Sequence, residues 1–385
     1  MEKNMNLSDA QKKIQTAARD LSLKELAPQA AWVDKESSFP LDGLNKLGVA
    51  GFLGLTIPQA LGGRGADNIS FVLAIEAIAE SCASTALVFL THSLATRALA
   101  VAGTDEQKQR LLPAMISGEK LGALALTEAA SGSNSLAIAT KGVADGDSFI
   151  INGTKTLITG AEHAQVYIVV LRTDEAKTPL DLTAIIIEKG TPGFSFGKKA
   201  DFMGLCGASN GDLVFENCRV PKANLLGPEN GYISVSPAYA SHAMLGMAAI
   251  SLGIAQAAVD AATEHAKTRQ NGEKPISSYQ GIQFLIAEMT TALTASRELT
   301  YSAAQQIDSQ QPPSPLPLYM AKLNATEMAI DVVNKALQVY GGTGYSRNLP
   351  LERHYRDARG LTLHFSTSEK LKEMVGKMLL GLPPL

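Results

Sequence analysis

The hydrophobic pattern along this chain changes texture twice. From the N-terminus to about residue 119, apolar positions recur at three- and four-residue spacing, as in helices that bury one face. The stretch "SDAQKKIQTAARDLSLKELAPQAAWV" opens with Ser8 where a helix N-cap belongs. "SFVLAIEAIAESCASTALVFLTHSLATRALAVAG" and "EQKQRLLPAMISG" are rich in Ala and Leu and long enough for buried helices. The segment "LGLTIPQALGGRGAD" reads as a Gly/Pro loop.

Between about 120 and 230 the period shortens. "SFIINGTKTLITG", "QVYIVVLRT", "LTAIIIEKG", "GFSFGKK" and "GDLVFENCRVP" are short, β-branched and separated by turn signals, which predicts a mainly antiparallel β-domain. From about 231 the helical pattern returns in "YASHAMLGMAAISLGIAQAAVDAATEHAKTR" and "SYQGIQFLIAEMTTALTASRELTYSAAQQI". The Pro-rich "DSQQPPSPLP" interrupts it before "LYMAKLNATEMAIDVVNKALQVYG". The expected fold class is therefore α+β: an N-terminal helical domain over 1–119, a middle β-domain over 120–230 and a C-terminal four-helix bundle over 231–385. A doubly wound nucleotide fold would alternate strand and helix throughout, and this chain does not.

Composition narrows the function classes. The 385 residues are 45% apolar and 18% charged with a net charge of −3, which suits a soluble globular protein and leaves no basic footprint for nucleic acid. No apolar run approaches the roughly 20 residues of a membrane span, and the polar first segment lacks a signal-peptide core, so a cytoplasmic location is expected. The three cysteines, Cys82, Cys206 and Cys218, form no metal or disulfide framework, and no pair of histidines has ligand spacing, so no metal is expected.

Two glycine-bearing loops are the candidate sites for chemistry. "LTEAASGSNS" packs small residues around Gly132, where successive backbone N–H groups and hydroxyls suit a pyrophosphate as well as they suit an ordinary turn. "QVYGGTGYS" follows a helix and reads equally as a glycine C-cap. Taken with "FIINGTKTLITG", "GTPGFSFGKK", "ERHYRDAR" and the α–β–α order, they resemble the acyl-CoA dehydrogenase superfamily over essentially the whole chain.

That resemblance implies one noncovalent FAD per subunit, an acyl-CoA substrate, a homotetramer built as a dimer of dimers, and electron-transfer flavoprotein as a partner. It places Leu126 and Thr127 at the flavin ring, Gly132 and Ser133 at the pyrophosphate, and Ile158 and Thr159 behind the isoalloxazine. Arg269, Gln280, Gln338 and Gly342 would reach the adenine half, partly from a neighbouring subunit. Thr367 would close the cofactor pocket and Glu369 would lie near the adenosine. On the substrate side it implies Ser133, His92, Tyr239, Ala243 and Phe365.

The resemblance also exposes a gap. Related enzymes remove the α-proton with a glutamate while hydride leaves the β-carbon, and a backbone N–H, here that of Phe365, helps hold the thioester oxygen. In this chain "HFSTS" puts Phe365 in the glutamate's usual position. The alternative seat on the first C-terminal helix is Ala243. No residue takes the base role by correspondence, which leaves His364, beside Phe365, as a candidate because imidazole titrates near neutral pH. Leu157 stands where an aromatic usually packs on the flavin, and "RQNGEKP" puts Gly272 and Glu273 in place of a Phe-Gly pair. Three readings follow. The first is an acyl-CoA oxidoreductase with a relocated base, acting by α,β- or vinylogous dehydrogenation. The second is a flavin-containing lyase similar to sulfinopropionyl-CoA desulfinase. The third is a catalytically silent FAD-binding homologue.

Overall fold

Ser8 caps the first helix, α1 (Asp9–Leu21), by a reciprocal pair of bonds: its hydroxyl accepts the Gln11 N–H, and its own N–H donates to the Gln11 side chain. The structure, a computed structural model, describes residues 7–132, 134, 137–173, 178, 182–309 and 314–383. After α2 (Ala30–Lys35) and α3 (Leu41–Val49), the long apolar run divides into α4 (Asn68–Ser81) and α5 (Ala83–Ala102). The break falls at Cys82, whose backbone is extended at φ −151° and ψ 103°. The domain ends with α6 (Asp105–Ser117), which tolerates Pro113 inside it and starts on a second capping box, Thr104 with Gln107.

The β-domain is one sheet in the order β6-β7-β3-β2-β4-β5-β8, with β1 also on β4. The strands are β1 (Gly122–Ala125), β2 (Lys141–Asp145), β3 (Ser148–Ile158), β4 (Val166–Arg172), β5 (Leu182–Glu188), β6 (Phe194–Lys199), β7 (Gly211–Pro221) and β8 (Leu225–Leu226). Pairing is antiparallel except where β1 and β2 meet β4. The unbroken apolar runs of β4 and β5 follow from burial on both faces. Val166, Ile168, Ala184 and Ile186 face the helical core, whereas Tyr167, Val169, Ile185 and Ile187 face a second core with Phe194 and Phe215.

The C-terminal domain comprises α7 (Tyr232–Val235), α8 (Pro237–Thr268), the hairpin strands β9 (Gln270–Asn271) and β10 (Lys274–Pro275), then α9 (Gln280–Ser309), α10 (Leu316–Tyr340), α11 (Leu351–Leu361) and α12 (Ser368–Leu379). Helices α8, α9 and α10 pack on one another, and α12 lies against α10 as the fourth. In "RQNGEKP", Gly272 takes φ +65° at the tip of the two-stranded hairpin, a conformation that glycine adopts without strain. Helix α4 is tied to this domain by a buried ion pair: Glu76 accepts from the Arg297 guanidinium at 2.9 Å and the Tyr301 hydroxyl at 2.6 Å.

One sequence expectation is corrected. By length and composition α5 and α8 are apolar enough to cross a membrane. Their apolar windows are 83% and 89% buried inside the fold, so their hydrophobicity serves the protein core.

Candidate active site

The loop after β1 is fixed by a buried ion pair. Lys155, on β3 and fully buried, reaches Glu128 at 2.7 Å and the Leu126 carbonyl at 3.0 Å. Glu128 also accepts the Ala139 N–H at 2.7 Å and the Thr140 N–H at 3.0 Å, which closes the loop between β1 and β2. Burial raises the Glu128 carboxyl, but Lys155 and these donors outweigh it and hold its pKa below the usual value. Burial brings the Lys155 ammonium down to about 8 against the pull of Glu128. Thr127 is thereby presented at the surface of the β-domain, its carbonyl accepting the Thr156 N–H at 2.8 Å.

Opposite this loop stands the segment joining α11 to α12. The two sides enclose a cleft of about 420 Å³ lined by Thr127, Leu157, Leu205, His364, Phe365 and Thr367, with Gly132 at its rim. Three of these residues share an unusual backbone: Leu157 (φ 59°), Leu205 (φ 54°) and Phe365 (φ 58°) are left-handed without being glycine. Each such residue costs roughly 1–2 kcal/mol, and strain of this kind concentrates at functional sites. Two of them, Leu157 at 51% and Phe365 at 43% exposure, turn large apolar side chains toward the opening instead of a core.

The wall that carries Leu205 is set by α11. The buried Asp357 carboxylate accepts the Leu205 N–H at 2.6 Å, and burial pushes its pKa up to about 7 against the opposing effect of that bond. Next to it, Arg356 joins three parts of the chain: Asp34 on α2 at 2.6 Å, Glu352 at 2.7 Å and the Met203 carbonyl at 2.7 Å. Neither residue was singled out from the sequence, where "ERHYRDAR" looks like an ordinary charged helix.

The floor holds His364 and Thr367. The His364 Nδ1–H donates to the Gly360 carbonyl at 2.9 Å, which leaves the lone pair on Nε2. Burial, aided by the charge of Lys322, lowers its pKa below 6.5, so the ring is neutral at pH 7. Thr367 caps α12 by accepting the Lys370 N–H at 3.3 Å. Glu369 follows in the exposed first turn, where the helix N-terminus lowers its carboxyl.

The remaining sequence candidates are spread more widely. Leu126 packs against the small core of Ile138, Val170 and Leu182 beside the cleft, and Ser133 lies outside the described residues. Ile158 is buried in the second core, and the Thr159 hydroxyl donates to the Asn210 side chain at 2.9 Å. Arg269, Gln280, Gln338 and Gly342 are all exposed on the C-terminal domain. His92 is fully buried and committed on both nitrogens: Nδ1 accepts the Gly122 N–H at 3.0 Å and Nε2 meets the Thr96 hydroxyl at 3.2 Å. It fastens α5 to β1. Tyr239 is buried with its hydroxyl on that of Tyr232, and Ala243 lies inside the core.

The acyl-CoA dehydrogenase N-terminal, middle and C-terminal domain families match residues 8–119, 123–218 and 236–380. The chain is 40% identical over 370 residues to a 3-(aryl)acrylate reductase of Clostridium sporogenes, covering 95% of this chain and 97% of that protein. It is 38% identical to an acryloyl-CoA reductase (NADH) of Anaerotignum propionicum, covering 97% of this chain and 95% of the relative. The solved structure of butyryl-CoA dehydrogenase from Megasphaera elsdenii superimposes with a TM-score of 0.94 at 33% identity, over 98% of this chain and 100% of that one.

Proposed function

The chain belongs to the acyl-CoA dehydrogenase family of FAD-dependent enzymes, and from that premise we propose that it interconverts a saturated acyl thioester and its α,β-unsaturated counterpart, with His364 instead of a glutamate handling the substrate proton. The observation that carries this reading is the cleft itself. It gathers Thr127, Leu157, His364, Phe365 and Thr367 around one opening, with three strained non-glycine residues in its walls.

The residues fit FAD. The Thr127 hydroxyl, the open backbone at Gly132 and the exposed faces of Leu157 and Phe365 offer donors and flat apolar surface to a ring system. When bound, FAD supplies a ring that accepts a hydride from the β-carbon of the thioester, or returns one to it. The protein's own part is to bind, to orient and to move the proton. The Phe365 N–H, in the strained turn, is the donor offered to the thioester oxygen, where it would favour the enolate form. Oxidation needs a proton taken from the α-carbon and reduction needs one delivered there. Phe365 can do neither. His364 lines the same cleft, half-buried and neutral, with its Nε2 lone pair uncommitted to Gly360, and can accept a proton in one direction and return it in the other.

The exposed Arg269, Gln280, Gln338 and Gly342 would complete the adenine end of the site from a second subunit in a homotetramer. An apolar groove of about 520 Å³ along α8 and α9, lined by Ala266, Ile282 and Ile286, supports such an assembly. Electron-transfer flavoprotein is the electron partner that fits this reading. Anaerobic mixing of the FAD-loaded protein with butyryl-, cyclohexanoyl- and phenylpropanoyl-CoA tests it, together with the photoreduced protein and the matching enoyl-CoAs. Bleaching by a saturated thioester, or recovery of colour with an enoyl one, supports it. Thioester consumption with the flavin left oxidised would mean a lyase instead, and silence with every probe would mean a binding protein only.

A further inference from the structure

Lys322 sits in the middle of α10 in the apolar run "LYMAKLNATEMA", and its side chain is fully buried. Among the described residues no carboxylate lies within ion-pair distance of it; Glu327 on its own helix and Glu369 on α12 act only from further away. Its ammonium instead donates to one backbone acceptor in the cleft floor, the Ser366 carbonyl, at 2.6 Å. A buried cation without a paired anion is costly, and a methionine would fill the same space more cheaply. The placement therefore calls for a role beyond packing.

The segment it touches is the most constrained part of the cleft. Phe365 is left-handed, the Ser366 N–H reaches back to the His364 carbonyl at 2.7 Å, the His364 ring is tied to Gly360, and Thr367 begins a helix. Without Lys322 the Ser366 carbonyl, directly after the strained residue, would lose its charged anchor.

We propose that Lys322 is a positioning residue for the reaction: through the Ser366 carbonyl it fixes the turn that presents His364 and the Phe365 N–H to the substrate. The inference rests on the reading of the cleft given above. The other charged side chains near this turn are Arg356 and Arg359 of α11, which line the cleft, and Glu369 in the exposed first turn of α12; Arg356 is engaged with Asp34 and Glu352, and Arg359 with the Thr362 hydroxyl. Lys322 is the cation that acts on the His364 ring from the interior, and its own pKa falls to about 8 through burial.

The test uses the full-length, FAD-loaded protein and its Lys322→Met and Lys322→Arg variants. The His364 ring is titrated by its carbon-bound proton resonance, assigned with His364→Gln, and flavin absorbance is followed with the thioester probes in parallel. Lys322→Met, by loosening the turn and removing the charge beside it, should raise the His364 midpoint. It should also slow any flavin response at least tenfold while Lys322→Arg keeps the midpoint low. Equal His364 midpoints in the wild type and a folded Lys322→Met would overturn the inference. If Lys322→Met does not fold, Lys322→Arg decides: its midpoint must stay within a few tenths of a unit of the wild type. A wild type that answers no thioester would count against the proposed function, whereas the titration would still judge Lys322.

Discussion

The carboxylate of Asp357 holds the backbone N–H of Leu205 at 2.6 Å, so a buried acid on α11 fixes a left-handed residue in the opposite wall of the cleft. Because burial raises this acid to about 7, far above its value of about 3.9 in an unfolded chain, the folded state binds its proton more tightly. Its favourable contribution is complete below about pH 4 and is lost as pH rises through 7. Asp357→Asn keeps an acceptor for Leu205 and removes the charge. Urea unfolding at pH 5 and pH 8 should therefore show the variant gaining on the wild type as pH rises, by about 1–3 kcal/mol. A wild type that outlasts the variant equally at both pH values would contradict this.

Breaking the Lys155–Glu128 pair on one side should be worse than removing it on both. Lys155→Met leaves Glu128 buried with only the Ala139 and Thr140 N–H groups, at an expected cost of about 3–5 kcal/mol. The double variant Lys155→Met with Glu128→Gln should recover part of that loss. Denaturation midpoints for the three proteins check the order, and FAD retention should fall with the single variant because the Thr127 loop loosens.

Leu157 and Ile158 are neighbours with opposite environments, 51% and 3% exposed, at a shift in the β3–β7 register. Leu157→Gly should leave the cofactor-free protein unharmed or up to about 1 kcal/mol more stable, since glycine relieves the left-handed strain. Ile158→Ala should cost about 2–4 kcal/mol through the cavity it opens. Thermal unfolding of both variants is sufficient.

Restoring a carboxylate at the vacant seat provides a gain-of-function test. Phe365→Glu keeps the turn and adds a base in the cleft, and base catalysis contributes about 10²–10⁴-fold. Stopped-flow bleaching by butyryl-CoA should accelerate by at least about 100-fold. An unchanged rate would show that the seat does not face the α-carbon.

The division into helical, sheet and helical blocks was readable because it rests on the period of apolar residues, and Ser8 because a capping box is local. The quoted loops and Phe365 were readable through family resemblance, which also led to Thr127, Thr367 and His364 in the cleft. What escaped depends on contacts distant in sequence. Cys82 breaks a helical run that contains neither Gly nor Pro. Leu157, Leu205 and Phe365 adopt a backbone that their side chains do not favour, held there by partners such as Asp357. Lys322 resembles any lysine on an amphipathic helix until its single acceptor, 44 positions away, is in view. His92 had the composition of a pocket residue, yet its two bonds spend it on joining α5 to β1.

His364, and no carboxylate, is proposed here to move the substrate proton. The most direct test is the rate of anaerobic flavin bleaching in the FAD-loaded wild type and in His364→Gln from pH 5 to 9, using whichever saturated acyl-CoA reacts with the wild type. The wild-type rate should rise through a midpoint below 6.5 and then level, because burial lowers the imidazole pKa, and the variant should be slower by about 100-fold or more with that rise abolished. A variant that bleaches at the wild-type rate with the same pH profile would contradict it.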